Sequence, residues 1–144
     1  MSMAIDTQDV ERALVELSTS VLREVADEFV DTAKEHASAR SGELRDGISA
    51  SDVDLKDSGL FTTTITSSAE HSSWQNEGTG IYGPMGQRIR PTNAKALVFD
   101  WPAAGGTVFF TSVAGQEGNR WWDRTILEWY EIVSNAESKV PDAR

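Results

Sequence analysis

The sequence predicts an α+β fold, with a long N-terminal helix and a C-terminal helix packed on a small antiparallel sheet of about four to five strands, plus a long Gly/Pro loop. Three observations carry this expectation. Apolar residues recur at helical spacing near the N-terminus, short alternating runs broken by turn residues fill the middle, and a second helical stripe closes the chain. With 144 residues and 39% hydrophobic content the chain suits one domain, 1–144, with a core over about 7–137 and flexible ends at 1–6 and 138–144.

The first helix is the clearest element. From Asp9 to Ala37 the residues Val10, Leu14, Leu17, Val21, Val25, Phe29 and Ala33 form one apolar stripe, and charged side chains fill the other faces. Asp6 or Thr7 suits its N-cap, and the run closes at Arg40-Ser41-Gly42. At 1.5 Å per residue such a helix is roughly 43 Å long, more than the diameter of a domain of this size, so part of it should project or pack on something else.

The middle reads as hairpins. Val53 and Leu55, a Lys56-Asp57-Ser58-Gly59 turn, and a run placing Phe61, Thr63 and Ile65 on one face predict a hairpin with one solvated side. A short helix or turn follows through Ala69 to Glu77, and "KALVFDW" and "GGTVFFTSV", joined by "PAAGG", predict a second hairpin. Asn119 then caps a helix over about 120–136, with a stripe of Trp122, Ile126, Trp129 or Tyr130, and Val133. Adjacent positions on a helix diverge by about 100°, so Trp121 and Trp122 cannot share one core; Trp122 is assigned to packing and Trp121 to an interface.

Composition excludes much chemistry. The chain has no cysteine, which removes thiol catalysis, disulfides and thiolate metal sites, and its two histidines, His36 and His71, lack ligand spacing, so no metal is expected. The N-terminus lacks a basic region followed by an apolar core, and no window reaches the ~18 apolar residues of a membrane span. The formal net charge of -10 opposes tight nucleic-acid binding. Four lysines against nine arginines, in so acidic a chain, fit either an ordinary solubilising surface or a halophilic host.

Each candidate site has a simpler reading beside it. "GTGIYGPMG", from Gly78 to Gly86, contains G-x-G-x-x-G with Asp100 beyond it, but a polar run precedes it and Pro84 and Pro91 would interrupt any helix leaving it, so no dinucleotide cofactor is expected. His71 beside Glu70 reads as a surface or helix-end residue, and Ser72 and Ser73 lack a nucleophile elbow, so no enzymatic activity is expected. Arg88 and Arg90 alternate about Ile89 and point to one side, where the carboxylates of a neighbouring subunit are the expected target.

Three motifs in register resemble a known family. Ser41-Gly42-Glu43-Leu44-Arg45-Asp46-Gly47-Ile48 is similar to the "T/S-G-x-L-R-x-S-I" element of the tail-completion, or head–tail joining, proteins of long-tailed bacteriophages and related viruses. The stretch from Ala69 to Thr79 resembles "A-x-Y-A-x-x-V-E-x-G-T", and Ile89 to Phe99, including Leu97, resembles "I-x-P-x-x-A-K-A-L-x-F". His71, Ser72 and Trp74 depart from the usual aromatic-alanine-aliphatic run, and "VAGQEG" lacks a His-Pro-Gly found in many members.

The resemblance implies a virion structural protein of the neck, made in the host cytoplasm, that joins the DNA-filled head to the tail as one subunit of a ring, expected to be hexameric. A tail-terminator or head-closure ring protein is the alternative, and a non-viral binding module or enzyme the more distant one. The implied partners are identical subunits, an adjacent connector or head-closure protein, and a tail-terminator or tail-tube protein, with genomic DNA passing through the channel without specific binding and no membrane involved. On this reading Gly78, Thr79, Tyr82, Met85, Arg88, Arg90 and Trp121 face subunits or partners, and "GTGIYGPMG" is an arm or hinge. Gly42, Leu44, Arg45, Glu77, Leu97 and Phe99 belong to the structural motifs, with Gly42 and Gly78 marking helix exits and Arg45 paired with a carboxylate such as Glu77.

Overall fold

The computed structural model describes residues 3–37 and 42–140. It is α+β, with a long N-terminal helix, C-terminal helices and short antiparallel strands. By backbone proximity the chain forms two compact units, one from 1–69 with 122–144 and the other from 70–121.

In the first unit, α1 (Thr7–His36) starts where Asp6 accepts a hydrogen bond from the Gln8 amide at 2.9 Å, the expected cap. It ends at His36, with Ala37 as C-cap; the closing triplet expected from sequence falls largely outside the described residues. Only its second half is well covered, since Val25, Ala26, Phe29 and Ala33 are buried while Val10 is 46% and Leu14 58% exposed. Thirty residues make α1 about 45 Å long, so its N-terminal part projects from the core of its own unit.

A short helix, α2 (Glu43–Asp46), follows, and buries Leu44 completely. Gly42 does not end α1; it starts α2 in the left-handed region at φ +74°, which a side chain would strain. Next come β1 (Ile48–Ala50), β2 (Asp54–Leu55), β3 (Phe61–Thr62) and β4 (Ile65–Ser67). β1 pairs with β4 and β2 with β3, so these strands form one long antiparallel hairpin interrupted between its two ladders. The Lys56–Gly59 turn closes it, with the Gly59 amide donating to the Lys56 carbonyl at 2.8 Å.

The C-terminal helix is two helices, α4 (Trp121–Leu127) and α5 (Trp129–Lys139). Asn119 caps the first as expected, accepting from the Trp121 amide at 3.1 Å. The break at Glu128 rotates the predicted stripe: Ile126 is 49% and Tyr130 89% exposed, and the buried positions are Trp121, Thr125, Ile132 and Ala136. Glu128 is held there by His36 Nε2 at 2.8 Å. Ala33 and Ala136, both fully buried, allow α1 and α5 to approach closely, and Phe29 sets its ring edge-on to Trp122 at 5.2 Å and Trp129 at 6.4 Å. Lys139 reaches Glu28, with Glu24 at 3.8 Å; the Glu28 hydrogen bond first, then the surrounding carboxylates, raise the Lys139 pKa above the ordinary lysine value. α5 thus continues into the segment expected to be a flexible end, and Val140 is buried.

Arg45 has a different partner from the carboxylate expected. Its Nε donates to the Lys34 carbonyl at 3.0 Å and its Nη2 to the Ala37 carbonyl at 3.5 Å, so the guanidinium closes the negative end of α1. Charge-assisted bonds of this kind contribute about 1.5–3 kcal/mol each at best. An Arg45→Ala protein should lose about 1–3 kcal/mol in urea denaturation. Unchanged stability would mean that the cap contributes nothing.

In the second unit, α3 (Ser72–Glu77) exits at Gly78, where φ is +93°. Further on, β5 (Leu97–Trp101) and β6 (Gly106–Phe110) pair antiparallel around a 3-10 turn at Pro102–Ala104, the second hairpin expected from "PAAGG". Among the described residues the strands form three two-stranded antiparallel ladders in place of one sheet of four to five strands, since irregular residues interrupt the first hairpin.

Candidate functional site

The glycine stretch is bound along much of its length by segment 113–120. The Thr79 amide donates to the Gln116 carbonyl and the Ile81 amide to the Ala114 carbonyl, both at 2.8 Å, while the Gln116 amide donates to Thr79 Oγ1 at 2.9 Å. Ile89 and Val113 exchange backbone bonds at 2.9 and 3.0 Å. Where the two segments cross, a Cβ on Gly80 would stand 2.0 Å from the Ala114 carbonyl oxygen, and one on Gly115 would stand 2.1 Å from that of Thr79. The glycines therefore serve a backbone crossing that no larger residue admits. No buried strand leads into them and no helix of regular length leaves them, so a pyrophosphate cradle is not formed.

Tied at Gly78 to Glu117 and at Ile89 to Val113, the segment between follows 114–116 as far as Ile81 and is then mostly exposed from 82 to 88. Its tip is apolar and open: Met85 is 79% exposed, Tyr82 48% and Ile81 44%. Arg88 is steadied at its base, donating through Nε to Ser112 Oγ at 2.9 Å, and Arg90 is exposed beside it. Thr79 and Gly78 belong to the crossing, not to the tip.

Trp121 is not an exposed interface residue. It is 3% exposed, and its indole N–H donates to the Ser72 carbonyl at 3.0 Å, so it fastens the end of the second unit to α3. The positive φ of Arg120, +56°, turns the chain so that Trp121 points inward, which a straight helical wheel does not anticipate. His71 stacks on Trp74 at 5.3 Å, at the start of α3, as a helix-end residue.

The β5–β6 hairpin leaves apolar side chains open on both faces. Phe99, Trp101 and Phe110 cluster on one face, with ring centroids 5.9 and 6.3 Å apart for the two pairs that Phe110 makes. On the other face Val98 and Phe109 lie directly opposite one another, 57% and 69% exposed. Leu97 is half-buried at the strand start, whereas Phe99 is 40% exposed. Isolated two-stranded hairpins are marginal in water, and apolar residues on both faces mark a surface that something covers.

In the first unit, Leu22, Val25, Ala26, Phe29, Phe61–Thr63, Ile65 and Trp129 line an open groove of about 290 Å³. Among the described residues no cluster of three His, Asp or Glu side chains could hold a metal, and no helix is long and apolar enough to cross a membrane.

Residues 6–78, spanning α1 through α3, fit the HK97-gp10-like family, described by bacteriophage HK97-gp10, a proposed tail component. The chain belongs to the HK97-gp10-like family. Membership makes it a phage structural protein of the tail or neck, and places it in the virion. The family match includes the first sequence motif and the second as far as Gly78, with Gly42, Leu44, Arg45 and Glu77, and leaves out Thr79; the "IRPTNAKALVF" motif and the hairpin lie beyond it. No curated protein and no solved structure matches the chain.

The buried Trp121, the break at Glu128 and the groove were not anticipated from sequence. One signal was available for the crossing, because Gly78 and Gly80 are matched by Gly115 and Gly118 in the segment that binds them.

Proposed function

We propose that this protein is a head–tail joining subunit, one of six in a ring at the neck. The observation that carries the reading is the family match over residues 6–78, taken with exposed apolar surfaces in both units. The projecting half of α1 and the two-sided hairpin are surfaces that a solitary chain has little reason to keep, and that a closed cyclic assembly covers. One rim of the ring meets the connector or head-closure protein and the other meets the tail terminator or tail tube. The loop carrying Tyr82 and Met85 reaches one of these neighbours, with Arg88 and Arg90 as its charged base.

The charge fits this role. A net charge of -10 around a channel repels phosphates, so the genome passes without adhering. Gold-labelled antibody against the protein should mark virions at the head–tail junction. Label distributed along the tail, or at its distal tip, would contradict the assignment to the neck.

A further inference from the structure

The most exposed aromatic of the hairpin and the apolar groove of the first unit are complementary in size and in charge. The groove, at about 290 Å³, is walled by Leu22, Phe29, Phe61, Ile65 and Trp129. An apolar cavity of about 150 Å³ already admits a benzene ring, so a phenyl group with part of a valine fits. Phe109 and Val98 form such a pair, directly opposed across β5 and β6.

Charges flank the two surfaces with opposite sign. From 78 to 113 Arg88, Arg90 and Lys95 outnumber Asp100, the one acidic residue there and a neighbour of Val98 on the same face, and the Ile89–Val113 bridge sets both arginines beside the chain leaving β6. The arm that supplies Phe61 carries Asp52, Asp54 and Asp57 against Lys56 alone, and Asp54 lies opposite Thr62 in the ladder. Two hairpins meeting each other would bring basic segments together, whereas hairpin to groove brings basic to acidic.

We propose that the Val98–Phe109 face of one copy seats in the Phe29–Phe61–Trp129 groove of a neighbouring copy. The contact is heterologous, different surfaces meeting on the two copies, and such a contact closes into a ring when its rotation permits. This rests on the ring-subunit reading and names the surfaces that build it.

The test uses the absence of native cysteine, which makes introduced thiols the only ones. Separately purified Phe109→Cys and Thr62→Cys full-length chains, one carrying a mass tag, are mixed and oxidised. A disulfide between unlike chains is expected, since bridging requires Cβ atoms about 4 Å apart. The wild-type chain should sediment as an oligomer, and Phe109→Asp should weaken self-association at least tenfold with an unchanged melting curve.

Phe109→Cys chains linking only to one another would overturn the proposal in favour of hairpin-to-hairpin contact. An oligomer that persists in Phe109→Asp and yields no mixed disulfide would sink this contact while leaving the ring reading intact. A chain that stays monomeric at every concentration tested would remove both.

Discussion

Replacing Gly115 by valine should unfold the crossing in the second unit and lower stability by about 4 kcal/mol or more, at the exceptional end for a single substitution. Two costs combine. The residue sits at φ +94°, where an L side chain costs about 1–2 kcal/mol, and its Cβ would fall 2.1 Å from the Thr79 carbonyl oxygen. Backbone cannot swing aside as a side chain does, so the segments must separate and give up the Thr79, Ile81 and Gln116 amide bonds. Gly80→Ala should behave alike, because its Cβ would meet the Ala114 carbonyl oxygen at 2.0 Å.

Gly86 supplies the control, being at φ +61° with nothing within 4 Å of its built Cβ. Gly86→Ala should cost only about 1 kcal/mol, from backbone strain alone. Hydrogen exchange gives the local view: in Gly115→Val the amides of Thr79, Ile81 and Gln116 should lose protection while those of α5 keep theirs. Equal melting of Gly115→Val and Gly86→Ala would show that the crossing does not hold the unit together.

Reversing Arg88 and Arg90 together to glutamate should abolish joining and leave the free protein folded. Arg88 is exposed and bonds to one residue, the half-buried Ser112, and Arg90 is exposed, so stability should change by less than about 1 kcal/mol. The same change replaces two positive charges by two negative ones in a segment otherwise holding only Lys95. In the proposed ring, repulsion from acidic neighbours would recur at every subunit contact. Complementation of the silenced gene with the double variant should therefore give few infectious particles, with a normal thermal melt of the purified chain. A melt lowered by many degrees would identify the arginines as structural instead.

How far the sequence can be read depends on the kind of interaction. α1, its Asp6 cap, the Lys56–Gly59 turn and the second hairpin are local, set by periodicity and turn chemistry within a few residues, and these agree with the structure. Phe61, Thr63 and Ile65, expected on one face, all line the groove, and so does Thr62 between them. The features that escaped depend on residues far apart in the chain. Glu128 interrupts the last helix beside His36, and Arg45 turns to the end of α1 eleven residues earlier. Trp121 is buried because Ser72 accepts its N–H, a pairing across 49 residues that no helical wheel contains. The loop glycines resembled an arm because their positive φ was legible and the carbonyls pressed against them were not.

The most direct test of the joining role is electron microscopy of particles made when this gene is silenced in the virus that encodes it. DNA-filled heads beside complete but separate tails are the predicted result. Normal, infectious particles would contradict a joining role, whatever ring the purified protein forms.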